Sequence, residues 1–307
     1  MMTRNLLALM VCCAAGLLAA FAPCSRNVSA EIRPNTLVAE VPIKYDGPMP
    51  VVEVMVNGKG PFKFGIDTGS QPRASVNSAV AETLGLPKVG QVMGGDPMGR
   101  NPRTFDIVKV ELIKLASVEF RDVEAVKINF GRNPRMANVD GILGAGLFAD
   151  YLLTLDYPAG RVRVERGELP QPDGASVLSY QSAHGIPSVE ISFGELKVYA
   201  HVDTGNLVGA VMLPSAVFSK LTLASEPRVA GRAHTVSSEI EIREASVKET
   251  MRLGGYEFQQ PTVSFSEIFR DANIGLKLLK NFAVTLDQKN MRMRLVKAAA
   301  AASAAGS

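Results

Sequence analysis

Phe64-Gly65-Ile66-Asp67-Thr68-Gly69-Ser70 returns 136 positions later as Ala200-His201-Val202-Asp203-Thr204-Gly205-Asn206. One Asp-Thr-Gly carries little information. Two copies, each closing an apolar strand-like run and each set at the same place in a longer repeat, decide the fold. Upstream of the first copy, Leu37, Val38, Val41 and Ile43 form one run and residues 51–56 another. A turn at Asn57-Gly58-Lys59-Gly60 then leads into Phe62-Lys63-Phe64-Gly65-Ile66, and these read as successive strands. Alternation puts Phe62, Phe64 and Ile66 on the buried face, so Asp67 stands where the strand ends and the backbone turns away. Gly69 and Gly205 let the chain bend where a side chain would clash.

A helix is predicted after Arg73, with Val76, Val80 and Leu84 on one face and Gly85 ending it before Pro87. Residues 91–103, rich in Gly, Pro and Met, read as a mobile hairpin or loop; strands resume over 106–112 and 118–128. A short helix is expected around Leu147 to Tyr151, ahead of the strand ending at Asp156. Residues 168–176, with Pro170, Pro172 and Gly174, read as a linker. Beyond it the first half repeats. Phe282-Ala283-Val284-Thr285-Leu286-Asp287 matches Tyr151-Leu152-Leu153-Thr154-Leu155-Asp156 at an offset of 131, which also sets Asp140 on Asp271, Leu143 on Ile274 and Gly144 on Gly275. The whole lobe is duplicated: 31–170 carries the first Asp-Thr-Gly loop and 171–297 the second, followed by an Ala-rich disordered tail over 298–307.

The first thirty residues combine Arg4, an apolar run from Leu6 to Ala22 and the small-residue pattern Val28-Ser29-Ala30, as in a cleaved signal peptide over 1–30. Export to the periplasm or the exterior is expected. Pro23 and Phe21 fit a lipobox badly, so lipid anchoring at Cys24 is the less favoured reading. Cys12, Cys13 and Cys24 all fall in this leader, so the mature chain has no disulfide and no thiol nucleophile. The chain has 33 basic residues, Arg4 and Arg26 of them in the leader, against 30 acidic ones, a balance that gives no footprint for nucleic acid or anionic lipid. No later stretch is long and apolar enough to span a membrane. His184 and His234 lack ligand partners at metal spacing, and no Gly-x-Ser-x-Gly elbow or phosphate loop is present, so neither metal nor cofactor is expected. His201, two residues before Asp203, reads as a partly solvated neighbour of that loop.

Each half supplies one carboxylate on a tight turn. If the halves pair about a twofold, Asp67 and Asp203 meet, and two carboxylates about 3 Å apart hold a single proton between them. One can then draw a proton from water while the other polarises a carbonyl, which suffices to hydrolyse an amide without a covalent intermediate.

These motifs resemble those of the pepsin and retropepsin superfamily of aspartic peptidases, duplicated in one chain. The likeness runs through both Asp-Thr-Gly loops and both segments Ile142-Leu143-Gly144 and Asn273-Ile274-Gly275, over most of residues 36–297. It implies an all-β bilobal fold with short helices and Asp67 and Asp203 as catalytic dyad. Thr68, Gly69, Ser70, Thr204, Gly205 and Asn206 would be loop supports, the threonines gripping each other's loop and Ser70 bonding a catalytic carboxylate. Residues 91–103, and Met93, Gly94, Gly95, Asp96 and Met98 in particular, would be the flap over the substrate, with 228–240 as the candidate for a second closing hairpin. The substrate would be a polypeptide and the enzyme a monomer. Asn206 stands where Ser, Thr or Ala is usual, the flap lacks Tyr, and the space before the first strand holds no pro-segment. Those departures favour the alternative, a secreted non-hydrolytic peptide-binding or adaptor protein on the same fold.

Overall fold

The computed structural model describes residues 35–95, 102–133, 136–183, 185–234 and 239–297. The leader, the Ala-rich tail, His184, and Asp96 and Met98 of the flap segment lie outside the described residues. The first half contributes β1 (Thr36–Pro42), β2 (Val51–Val56), β3 (Lys59–Asp67), β4 (Ala74–Asn77), helix α1 (Ser78–Thr83), β5 (Lys88–Gly94) and β6 (Arg103–Leu115). It continues with β7 (Val118–Ile128), β8 (Gly141–Gly144), β9 (Leu152–Asp156) and β10 (Arg161–Arg166). The second half contributes β11 (Val177–Ser179), β12 (Gln181–Ala183), β13 (Ile186–Phe193), β14 (Leu196–Asp203), β15 (Val211–Pro214), α2 (Ser215–Phe218), β16 (Arg228–His234) and β17 (Glu239–Ser246). Its last elements are β18 (Met251–Leu253), β19 (Tyr256–Phe258), β20 (Thr262–Ser266), β21 (Ala272–Gly275), α3 (Leu276–Leu279), β22 (Phe282–Asp287) and β23 (Arg292–Lys297).

The fold is all-β. One sheet runs β2-β3-β8-β4-β7-β6-β5, with β2 also pairing β6 so that the sheet curls on itself. The second runs β16-β17-β20-β15-β21-β14-β13-β18-β19, with β12 added to β13. The two orders superpose once β6 is matched to β17 plus β18, and β7 to β19 plus β20. The long β6–β7 hairpin is thus continuous in one half and interrupted in the other, where Pro261 has no N–H to offer a ladder.

A third sheet, β1-β10-β9-β22-β23-β11, takes three strands from each half. At its centre β9 and β22 run antiparallel with Thr154 opposite Thr285, Leu155 opposite Val284 and Leu153 opposite Leu286. Thr154 and Thr285 are the residues that the offset of 131 equates, so the pseudo-twofold axis passes between them, and their buried hydroxyls satisfy each other at 2.9 Å. The cores obey the same symmetry. Leu276 packs into the cluster built on Phe64, Phe120 and Phe148, while Ala145 packs into the one built on Phe193, Phe282 and Ile274.

The helix expected after Arg73 is half strand. Ala74, Ser75 and Val76 are buried in β4, parallel to β7 and antiparallel to β8, and Asn77 caps α1 by accepting from Ala79 N at 3.3 Å. Buried pairing on both sides of Val76 outweighs the weak i, i+4 pattern. Gly85 ends the segment in the left-handed region, φ +61. The short helix expected around Leu147 to Tyr151 is a 3-10 helix over Ala145–Phe148, and its counterpart is α3.

Candidate active site

Asp67 is the last residue of β3 and Asp203 the last of β14. Parallel pairing with β8 and β21 sets Asp67 beside Gly144 and Asp203 beside Gly275. Both glycines are needed for room: a Cβ on Gly144 would lie 2.2 Å from the Pro72 carbonyl oxygen, and one on Gly275 would lie 2.3 Å from that of Gly209. The loops after each Asp therefore fold down over those strands. Each closes as a tight turn, with Ser70 N donating to the Asp67 carbonyl at 3.2 Å and Asn206 N to the Asp203 carbonyl at 3.3 Å.

Thr68 and Thr204, both buried, clasp the two loops. Thr68 N donates to Thr204 Oγ1 at 3.0 Å and Thr204 N to Thr68 Oγ1 at 3.1 Å. Their hydroxyls cross to the opposite strand, Thr204 Oγ1 donating to the Ile66 carbonyl at 2.7 Å and Thr68 Oγ1 to that of Val202 at 2.5 Å. Four hydrogen bonds, all shielded from water, hold the loops in one register. The carboxyls are exchanged as well: Asp203 lies over Gly69, where a Cβ would fall 2.4 Å from its Cγ, and Asp67 lies over Gly205, where a Cβ would fall 2.3 Å from its Oδ2. Neither Gly69 nor Gly205 takes a positive φ, so the requirement is space for the other half's carboxyl and not the bend expected from sequence.

Residues 52–147, which take in β2 to β8 and the first of these loops, match a family model described as aspartyl protease. The chain carries an aspartyl protease domain of the retropepsin-like type. No curated protein matches the chain. The family is one of proteases, so its substrates are polypeptides. The match ends before Asp203, and the second loop is tied to the first by the strand register and the Thr clasp.

Around the two carboxyls the protease domain and its repeat are not alike. Asp67 Oδ1 accepts from Gly69 N at 2.8 Å. Asp203 Oδ1 accepts from Gly205 N and Asn206 N, both at 3.0 Å, and Asp203 Oδ2 accepts from Asn273 Nδ2 at 2.5 Å. The Ser70 hydroxyl donates to the Pro72 carbonyl at 3.3 Å, in its own loop, and not to the carboxyl for which it was implied. The Asn206 amide likewise does not reach Asp203. It donates to Asn273 Oδ1 at 2.8 Å, and Asn273 makes the contact in its place.

Two residues here lie outside the set that the Asp-Thr-Gly motifs single out. Asn273 sits where the resemblance calls for an apolar residue, as at Ile142, and polarity at that position of Asn273-Ile274-Gly275 was the clue available. Tyr157, buried just beyond β9, has its hydroxyl within hydrogen-bonding reach of Thr204, and burial pushes that hydroxyl far up. Of the flap residues, Met93 is 73% exposed on the edge strand β5, which pairs with β6 through Gly94 opposite Arg103. The hairpin of β16 and β17 is its counterpart at the edge of the second sheet, its tip outside the described residues. No group of three or more His, Cys, Asp or Glu suited to a metal occurs among the described residues. Nor is any described helix long and apolar enough to cross a membrane.

Asp67 is held well above its ordinary value of 3.8, first by burial and then by the charge of Asp203. Below that ordinary value both folded and unfolded chains are protonated here and the residue costs nothing. As pH rises from there through the higher folded-state value, folding must take up and hold a proton that the unfolded chain has released, so stability falls. Asp67→Asn is therefore expected to melt higher than the natural protein at pH 7, by about 2–4 °C per kcal/mol relieved, with the gain vanishing near about pH 3.5. Calorimetry at the two pH values checks this, and a gain equal at both would refute the assignment.

Proposed function

We propose that this chain is an exported aspartic endopeptidase that hydrolyses peptide bonds with water activated between Asp67 and Asp203. The observation that carries the reading is the reciprocal seating of each carboxyl on the other loop's glycine. That placement, with burial and the charge of Asp203 raising Asp67 well above its ordinary value, can supply one acid and one base at a single point. The base takes a proton from water as its oxygen bonds to the substrate carbonyl carbon, and the acid gives its proton to the carbonyl oxygen as the π pair moves there. Collapse restores the carbonyl and returns that proton to the acid, while the C–N bond breaks and the nitrogen takes the proton held by the base. The exposed edge strands β5 and β16 are suited to pair with an extended peptide, with Met93 and Gly94 on the first and Gly95 following it. Residues 1–30, the leader, support action in the periplasm or outside the cell.

The test is incubation of the purified mature protein with a diverse peptide mixture from about pH 3 to 8, in water enriched in oxygen-18. Cleavage that places a single labelled oxygen on each new carboxyl terminus, insensitive to serine and thiol reagents, is the expected result. A folded protein that cuts nothing at any pH overturns the reading and makes the site one for binding.

A further inference from the structure

Asn206 and Asn273 form a relay whose polarity the backbone dictates. Asn206 Oδ1 accepts from two main-chain donors, Val208 N at 3.1 Å and Gly209 N at 3.2 Å. That end must be the oxygen, because two N–H groups point at it. Asn206 Nδ2 then faces away, toward Asn273 Oδ1 at 2.8 Å and Met212 Sδ at 3.0 Å. Asn273, its oxygen so engaged, has only its NH₂ to present to Asp203 Oδ2, at 2.5 Å. The surroundings are shaped to this pair: buried Met212 backs the Asn206 amide, and a Cβ on Gly275 would stand 2.8 Å from Asn206 Nδ2.

The first half has no equivalent among the described residues. At the matched positions stand Ser70, turned to the Pro72 carbonyl, and Ile142, which packs with Met49, Val51, Phe130 and Val139 and has nothing to donate. Asp203 thus receives three N–H groups, one of them from a side chain, while Asp67 is served by the main chain, through Gly69 and Gly205. N–H groups aimed at a carboxyl stabilise its ionised form.

We propose that Asn273 is a positioning residue that breaks the symmetry of the pair, directing the shared proton to Asp67 and leaving Asp203 as the base that activates water. The inference rests on the dyad reading above and assigns the two roles within it. Tandem duplication by itself would leave the carboxyls interchangeable. Asn206 and Asn273 are found in one copy only, and together they do what neither does alone, since Asn206 fixes which end of Asn273 faces the carboxyl.

The experiment is a carboxyl carbon-13 NMR titration of protein labelled at Asp Cγ, comparing the natural protein with Asn273→Ile, which installs the side chain found in the other half. Asn273→Ala serves if the larger side chain prevents folding. Loss of one charge-assisted hydrogen bond is expected to weaken the first ionisation of the pair about tenfold, raising its lower step by about one pH unit. The acid limb of kcat/KM should move by the same amount, with KM changed less than about twofold. A folded Asn273 variant whose lower step does not move overturns the proposal, whether or not the protein cleaves peptides. The titration and the cleavage assay therefore fail separately.

Discussion

Asp67→Asn and Asp203→Asn are each expected to lower peptide cleavage by about 10³-fold or more, because each removes one partner of a reaction that needs an acid and a base at once. The two variants should differ in every other respect. The amide introduced by Asp67→Asn carries no charge for burial and Asp203 to oppose, so Gly69 N keeps an acceptor and the fold gains at neutral pH. Around Asp203 all three neighbours are donors: Gly205 N, Asn206 N and Asn273 Nδ2. Whichever way the amide introduced by Asp203→Asn turns, its NH₂ meets at least one N–H, which costs about 1–3 kcal/mol for the donor left unpaired. Steady-state kinetics with chemical denaturation of both variants checks this, and equal stability of the two at neutral pH would contradict the hydrogen-bond assignment at Asp203.

Gly205→Ala is expected to remove cleavage almost as completely, by about 10² to 10³-fold, although it deletes no chemical group. Its Cβ would fall 2.3 Å from Asp67 Oδ2 and 2.4 Å from Cγ, inside any permitted contact. The backbone cannot yield, since the flanking Thr204 is bonded to Ile66 and Thr68. Asp67 must swing away by roughly 1 Å, which is enough to disrupt a two-proton relay. Because the strain falls on a side chain and φ is ordinary at Gly205, global stability should drop by much less than the rate. The outcome that would count against this is a Gly205→Ala enzyme with normal kcat/KM; a crystal structure of the variant would show where Asp67 has moved.

The sequence by itself determined the duplication and the strands that end at Asp67 and Asp203, and the resemblance its motifs carry implied the all-β fold. These are legible because strand periodicity and a constant repeat offset are local or one-dimensional properties: Thr154 falls opposite Thr285 as the offset of 131 requires. The helix after Arg73 was misread for the same reason, as four residues of buried strand fit a short helical pattern equally well.

Which groups face the carboxyls was decided only by the tertiary structure. Asp203 and Asn273 are 70 positions apart, so no spacing rule links them. Ser70 and Asn206 occupy matched positions, yet one turns to a carbonyl of its own loop and the other to Asn273. The choice depends on which acceptor the folded backbone brings within about 3 Å, and on two main-chain N–H groups that settle the direction of an amide. Gly69 and Gly205 read in sequence as sites of a bend; folded, they are the floor on which the opposite aspartate lies.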